Sequence, residues 1–277
     1  MKLCVYNEII ELMELNGTKE CLKEIARLYP DVSTKTLGSI YSQEYQKKMK
    51  KCHYKFYNAK AKERLYQRYL EGINRKKDFQ VLTRLGEHIG LAPALLARCI
   101  LEQHLALQGE MPSRNTITQM LKDTTLIKDP VLAMEIQMCV VADEVYGPFT
   151  DTVKHSIGHE YEFLLQKKLE ERGLAYMDED VLRTKGYDKT PDFKLEVPIA
   201  VDGHVINWIE SKASFGDEDS HKGYLKDQFW SYWNRFGPGL VIYWFGFIEE
   251  LDTNADKGIL LMDHFPEGIV TMNPASR

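Results

Sequence analysis

The segment TPDFKLEVPIAVDGHVINWIESK (Thr190–Lys212) predicts two strands joined by a tight turn. Apolar residues dominate 192–200 and 205–212, as expected of strands that lie in a sheet. Asp202-Gly203 between them is typical of a two-residue β-hairpin turn. Because this turn folds the strands side by side, the segment indicates an antiparallel pair at the centre of an α/β domain.

Charged side chains converge at the open end of this hairpin. Asp192 starts the first strand and can approach Glu210, which lies near the end of the second. Glu210 and Lys212 are two residues apart on one strand, so both project from the same face while Ser211 points away. We therefore expect two carboxylates and one ammonium group to share a site.

Two carboxylates beside one ammonium group are costly to hold together unless a cation joins them. Oxygen ligands of this kind suit Mg²⁺ or Mn²⁺, and Lys212 could then hold the water that attacks a phosphodiester. The alternative is an exposed hairpin whose charges pair across the strands. Glu210 disfavours that alternative, because it ends the apolar stretch 205–209.

The helices that flank the hairpin carry further candidates. Glu160 and Glu162 lie on a helix predicted over 153–171, and only one of them can point inward. We expect Glu160 to be that residue, although either could face solvent. Gln228 and Tyr232 share one face of a helix predicted over 221–235, where they could orient the lysine or bind the scissile phosphate. Tyr232 could equally belong to the core.

The C-terminal half predicts an α/β core and the N-terminal half a helical region. Further strands are expected at 175–177, 240–248, 259–262 and 269–272. Tyr146-Gly147-Pro148 marks the expected boundary, with a helical region over 1–147 and the α/β domain over 148–277.

The helical region contains two helix-turn-helix-like patterns. The first covers roughly the opening 45 residues, and the second has a short helix that ends at Gly90 and a new helix that begins near Pro93. Bundles that do not bind DNA also contain helix, glycine turn and helix. Whether either pattern contacts a duplex therefore stays open.

Charge is unevenly distributed along the chain, whose net charge is -5. The segment from Lys47 to Lys77 holds twelve basic residues against two acidic ones, with aromatic residues between them. Such a mixture suits phosphate contacts and base stacking, and a solvated helix face is the alternative. The nucleic-acid-binding candidates are Lys47, Lys48, Lys50, Lys51, Lys55, Lys60 and Lys62.

Composition excludes several classes of protein. The 277 residues are 44% hydrophobic and 28% charged, values typical of a globular protein rather than a disordered chain. No apolar run is long enough to span a membrane, and the N-terminus lacks a secretory signal, so an intracellular protein is expected. The cysteines are widely spaced and odd in number, which predicts reduced thiols at Cys4, Cys21, Cys52, Cys99 and Cys139.

These motifs, taken in order, resemble the PD-(D/E)XK nuclease superfamily: a helix glutamate, Pro-Asp, Glu-x-Lys and Gln-x-x-x-Tyr over an α/β pattern. More narrowly, the chain resembles the codanin-1-interacting nucleases of animals over nearly its whole length. The stretches that carry this resemblance are Tyr41–Lys47, Tyr187–Asp192, Ile209–Glu218 and Asp227–Gly239.

The resemblance implies a restriction-endonuclease-like C-terminal domain, similar to archaeal Holliday-junction resolvases, behind a helix-turn-helix-like region. It implies Mg²⁺ (or Mn²⁺) as cofactor, held by Glu160, Asp192, Glu210 and the backbone carbonyl of Ser211. The catalytic positions it implies are Asp192, Glu210, Lys212, Gln228 and Tyr232.

The resemblance also implies a biological setting. It suggests codanin-1 as a partner, nuclear and cytoplasmic localisation, and DNA rather than RNA as substrate. Whether the substrate is branched, and whether the chain forms a homodimer, stays open. The alternative function is a non-catalytic adaptor that binds codanin-1 through an idle or weak nuclease fold.

Overall fold

The structure is a computed structural model that describes residues 1–16, 19–75 and 80–272. The helices, in chain order, are α1 (Leu3–Asn16), α2 (Cys21–Leu28), α3 (Thr34–His53), α4 (Ala59–Arg75), α5 (Val81–Ile89), α6 (Pro93–Leu107), α7 (Arg114–Lys122), α8 (Pro130–Ala142), α9 (Pro148–Glu171), α10 (Glu179–Thr184), α11 (Glu218–Tyr224) and α12 (Trp230–Phe236). A π-helical segment, Leu225–Phe229, joins the last two. The strands are β1 (Tyr176–Asp178), β2 (Phe193–Val201), β3 (His204–Lys212), β4 (Gly239–Tyr243), β5 (Ile259–Met262) and β6 (Ile269–Thr271).

The chain forms two compact units. The sheet unit contains Met1–Tyr41 and the chain from Ser156 onward, and the helical unit contains Ser42–His155. This division differs from the single boundary expected at residue 147. The reason is a hydrophobic cluster within the sheet unit, in which Ile9 and Ile40 pack with Phe215 and Ile248. The opening 41 residues thus belong with the sheet, although they are helical as expected.

The predicted hairpin is confirmed. Val201 pairs with His204 across the turn, and Asp202 and Gly203 have φ values of 49° and 82°. Positive φ at both central residues is the requirement of the turn type that Asp-Gly favours. The pairing register shifts between Lys194 and Ile199, where Pro198 cannot donate a ladder hydrogen bond. The register nevertheless resumes, and Phe193 pairs with Ile209.

The sheet is mixed, and its strand order is β1-β2-β3-β4-β5, with β6 on the edge of β2. β2 is antiparallel to its neighbours, whereas β3, β4 and β5 run parallel. This arrangement confirms a helical N-terminal region followed by a mixed α/β part.

Side chains of the central strands alternate between the two faces of the sheet, and both faces are buried in hydrophobic clusters. Ile209 and Ile242 lie in one cluster with Leu165 of α9. Trp208 and Tyr243 lie in another, which contains Phe229 and Tyr232 from the helical segment after the hairpin. Glu210 and Lys212 follow Trp208 by two and four residues on β3. Their side chains therefore point to the same face of the sheet as Trp208, toward the second helical layer.

Three expected elements differ from the structure. β4 ends at Tyr243 rather than continuing to residue 248, because the chain turns at Gly246, where φ is 82°. The helix expected over 221–235 begins at Glu218 and is interrupted by the π-helical segment. The short helix α10 was not predicted, although Asp178 caps its N-terminus and two acidic residues open it.

The helical unit contains the second helix-turn-helix-like pattern as a local structure. α5 ends at Gly90, which has φ 67°, and α6 begins at Pro93. Glu135 of α8 is fully buried and accepts the backbone N–H groups of Gln80 and Leu82 at 2.7 and 2.8 Å. Buried carboxylates of this kind satisfy the unpaired donors at a helix N-terminus, so α8 fixes the start of α5.

Two general features complete the description. All five cysteines are free. Within the ranges that the structure describes, no helix combines the length and the apolar character needed to cross a membrane.

Candidate active site

The hairpin brings together the three residues that the sequence placed at its open end. The backbone N–H of Asp192 donates to Glu210 Oε2 at 3.2 Å, and the N–H of Ser211 donates to Asp192 Oδ2 at 2.7 Å. Lys212 Nζ donates to Glu210 Oε1 at 2.6 Å. Each carboxylate is thus fixed by the backbone of the other strand, and the ammonium group lies against one of them.

Burial makes this arrangement electrostatically costly. Glu210 is 3% exposed and the Lys212 side chain 15% exposed, while Asp192 is half-buried. Burial, and then the charge of Glu210, raises the pKa of Asp192 well above its ordinary value. Burial also raises the pKa of Glu210, although the Lys212 ammonium opposes that rise. One lysine therefore does not fully compensate two buried carboxylates.

The donor chemistry fits a hard divalent cation. Mg²⁺ binds through one or two carboxylates and retains several waters, and Asp192 with Glu210 supplies two. The backbone carbonyl of Ser211, which directly follows Glu210 in sequence, could add a third oxygen. Among residues 1–16, 19–75 and 80–272, no group of three or more His, Cys, Asp or Glu side chains forms a ready metal cluster.

The structure does not bring Glu160 to this site. Glu160 is exposed, and its charge acts on Lys35, whose pKa is raised first by a hydrogen bond to Tyr161. Glu162 is half-buried, and its charge contributes to the raised pKa of Asp192. Glu162 precedes the buried Leu165 by three residues and so lies on the inward side of α9, whereas Glu160 does not. The expectation that Glu160 points inward was wrong.

The helix α10 adds two charged residues that the sequence analysis missed. Glu179 Oε1 accepts hydrogen bonds from Thr190 Oγ1 at 3.2 Å and from Arg183 Nη2 at 2.6 Å. The charge of Glu179 contributes to the raised pKa values of Glu210 and Tyr232. The Asp cap and acidic first turn of α10 were the available sequence signals.

Tyr232 lies in the core, near the carboxylates of the site. It is 3% exposed, and its ring packs edge-on against Trp208 at a centroid distance of 5.3 Å. Burial, followed by the charges of Glu210 and Asp192, raises its pKa. The residue is therefore a core residue whose hydroxyl end lies in the electrostatic reach of the carboxylates.

Gln228 lies in the π-helical segment, so the expected α-helical spacing to Tyr232 does not hold. Its Oε1 atom is buried and has no hydrogen-bond partner in the described part of the chain. Single π turns inside helices are frequent at functional sites. Lys189 ties this segment to the loop before Asp192, since its Nζ donates to the carbonyl of Asp227 at 2.6 Å.

The basic candidates separate into two groups. Lys47 pairs with Glu44 at 2.7 Å, and Lys62 pairs with Glu102 at 2.5 Å. These two lysines lie in ion pairs inside the helical unit. The others are exposed on α3, α4 and the turn between them: Lys48, Lys50, Lys51, Lys55 and Lys60. Lys76 and Lys77, which end the basic segment, fall outside the described residues.

A buried histidine supports the strand next to Lys212. Lys212 pairs in register with Tyr243 of β4, and the Tyr243 hydroxyl lies 3.0 Å from Nδ1 of His221. His221 is 2% exposed, and burial lowers its pKa to about 4. Its Nε2 atom has no hydrogen-bond partner within the described ranges. The imidazole is therefore held neutral beside the layer that carries the site.

Part of the chain matches a known family model. A family model described as "Protein of unknown function TPD sequence-motif" matches residues 128–265. That range includes Thr190-Pro191-Asp192, which spells the named tripeptide and contributes Asp192 to the site. No solved structure matches the chain.

Relatives match over nearly the full length. The chain is 54% identical to CDAN1-interacting nuclease 1 of Xenopus tropicalis, over 96% of this chain and 89% of that protein. It is 53% identical to the Homo sapiens protein of the same name, over 96% of each. The corresponding Danio rerio protein is 49% identical, over 96% of this chain and 90% of its own length.

The neutral state of His221 predicts a pH-dependent contribution to stability. Because its folded pKa lies below the ordinary value of 6.5, the contribution is complete above about pH 6.5 and is lost as pH falls toward 4. Between pH 7 and pH 5, we expect His221 to reduce the free energy of unfolding by about 2 kcal/mol. His221→Phe should remove this part of the decline, measured by chemical denaturation at each pH.

The exposed His88, replaced by phenylalanine, is the control, and it should retain the parent's decline. A difference between parent and His221→Phe that is the same at pH 7 and pH 5 would contradict the assignment.

Proposed function

The chain belongs to the family of the CDAN1-interacting nuclease 1 proteins, and on this premise we propose that it is a nuclease. It hydrolyses phosphodiester bonds of DNA with Mg²⁺ or Mn²⁺, through a site of the PD-(D/E)XK type. The observation that carries the proposal is the buried contact of Asp192, Glu210 and Lys212. The names of the relatives supply the class of reaction.

Asp192 and Glu210 hold the cation in this proposal, with the carbonyl of Ser211 as a further oxygen ligand. When bound, the cation supplies Lewis-acid stabilisation of the negative charge that develops on the phosphate. Glu162 replaces Glu160 as the α9 carboxylate of the site, since its charge acts on Asp192. With a cation bound, Glu162 would orient one of the surrounding waters.

Lys212 holds the attacking water. Its ammonium group lies 2.6 Å from Glu210, which fixes one of its three donor directions. A second donor can bind the water and orient its oxygen toward phosphorus. As the new P–O bond forms, the bond to the leaving sugar oxygen breaks; the water's proton passes to a phosphate oxygen or to bulk water, and the leaving oxygen takes a proton from solvent. Lys212 therefore acts on the nucleophile while the two carboxylates define where the phosphate lies.

Gln228 and Tyr232 support this site. The unpartnered Oε1 of Gln228 is an acceptor that can orient Lys212 or a water at the phosphate. Tyr232 forms the wall behind Glu210 and Asp192, where its buried ring keeps bulk water away from the carboxylates. Exclusion of water strengthens every charge interaction at the phosphate.

The relatives' names also carry a second proposal, which concerns the partner. The chain binds codanin-1, as the names state for the relatives. Binding a partner does not require Lys212, so the two activities can be separated in one protein. An adaptor with an idle site would keep the partner and lack the cleavage.

We expect Asp192→Asn and Lys212→Met each to reduce the rate of DNA cleavage by about 100-fold or more. The first removes a carboxylate charge from the cation site, and the second removes the group that holds the water. The measurement uses labelled branched, single-stranded and duplex DNA with Mg²⁺ and with Mn²⁺.

Matched controls come from exposed residues of the same unit. Asp202→Asn makes the same chemical change in the hairpin turn, and Lys226→Met does so on the π-helical segment. Both should cleave at the parent's rate. If the unmodified protein cleaves none of these substrates with either metal, yet co-purifies with codanin-1, the nuclease proposal is wrong and the adaptor function is supported.

The exposed lysines of the helical unit are proposed to contact the phosphate backbone. In metal-free buffer, Lys51→Ala/Lys55→Ala should weaken DNA binding similarly for every sequence tested. The plot of log affinity against log salt concentration should become shallower by about 1 per lost phosphate contact. Lys47→Ala is the control, because Lys47 already pairs with Glu44. Equal salt dependence in parent and double variant would show that these lysines do not touch the nucleic acid.

A further inference from the structure

We propose that Tyr224 is a positioning residue for Lys212, whose ammonium group it holds through the face of its aromatic ring. The inference rests on the proposed nuclease function and adds to it a residue outside the sequence motifs. Tyr224 is the last residue of α11, directly before the π-helical segment.

The geometry of the ammonium group carries the proposal. Lys212 Nζ lies 4.6 Å from the centroid of the Tyr224 ring, and 2.6 Å from Glu210 Oε1. A cation within about 6 Å of a ring centroid is attracted by the ring quadrupole, more strongly when it is withdrawn from water. The Lys212 side chain is 15% exposed, which meets that condition. The ammonium is thus held by one anion and one neutral ring.

The ring itself is fixed by the core. It packs at a tilt against Phe229, at a centroid distance of 5.8 Å, and Phe229 is completely buried. Phe229 in turn lies 6.3 Å from the ring of Trp208, on the same strand as Lys212. A chain of aromatic contacts therefore runs from β3 through the π-helical segment to Tyr224 and back to the lysine.

The two contacts of Lys212 differ in one important respect. In the proposed function, Glu210 both pairs with Lys212 and binds the cation, so its two oxygens serve two positive charges. Tyr224 is neutral and its ring face does not bind Mg²⁺, so its contact with Lys212 does not compete with the cation. We infer that the ring keeps the flexible lysine aimed at the site when Glu210 turns toward the cation. The lysine side chain is a flexible four-carbon stem. A contact that restrains its ammonium group lowers the conformational entropy that the side chain must lose to reach the reactive position.

The ring contact is tested first by kinetics, with a pair of substitutions at one position. Tyr224→Leu removes the ring, and Tyr224→Phe keeps the ring but removes the hydroxyl. We expect Tyr224→Leu to lower kcat about tenfold with little change in KM, because the lysine acts on the nucleophile rather than on substrate binding. Tyr224→Phe should retain kcat within about twofold. Loss of kcat in Tyr224→Phe equal to that in Tyr224→Leu, or an undiminished kcat in Tyr224→Leu, would overturn the proposal.

A second measurement does not depend on activity. In metal-free protein with isotopically labelled lysine, the ε-methylene protons of Lys212 should resonate upfield, because their carbon is bonded to Nζ, which lies over the ring of Tyr224. The signal is assigned by its disappearance in Lys212→Met. Tyr224→Phe should preserve the upfield position, and Tyr224→Leu should move the signal to the ordinary lysine region. Thermal unfolding of each variant confirms that the sample measured is folded.

The two measurements separate this proposal from the proposed function. If the parent cleaves no substrate, the nuclease assignment fails, and the NMR signal alone decides whether the ring holds the lysine. A Lys212 signal at the ordinary position in the parent overturns the contact whatever the kinetics give.

Discussion

The constraint on which the candidate site depends is the approach of the buried carboxylate of Glu210 to the half-buried carboxylate of Asp192, beside one ammonium group. Hydrogen bonds from backbone N–H groups across the hairpin hold the two carboxylates close together, although their negative charges repel each other. Such an arrangement lowers stability, and functional sites are where proteins retain interactions of this kind. The surrounding core compensates, since Trp208, Phe229, Tyr232 and Tyr243 pack beneath the site.

The core of the site could be predicted because it is local. The Asp-Gly turn folds β2 back along β3, and the period of two along a strand places Glu210 and Lys212 on one face. The pairing that brings Asp192 level with Glu210 also depends on the register shift between Lys194 and Ile199, which the turn does not specify. The approach of the two strands could therefore be predicted from the turn, whereas their exact register could not. The parallel strand β5 was likewise located because its apolar run is short and bounded.

What the sequence could not supply depends on long-range packing. The choice between Glu160 and Glu162 follows from how α9 lies against the sheet, which two glutamates in one helix do not reveal. The π-helical segment breaks the expected spacing from Gln228 to Tyr232 while the sequence still reads as helical. Likewise, two lysines of the basic segment, Lys47 and Lys62, pair with acidic residues of the helical unit.

Whether a cation joins the two carboxylates is tested most directly by thermal unfolding of the protein as Mn²⁺ concentration rises. The parent's midpoint should increase with the logarithm of concentration, as for any ligand that binds the folded state alone. Asp192→Asn has one carboxylate charge fewer beside Glu210, so it should begin from a higher midpoint and respond weakly. Equal responses of parent and Asp192→Asn, or no response from either, would contradict the account of these carboxylates as a cation site.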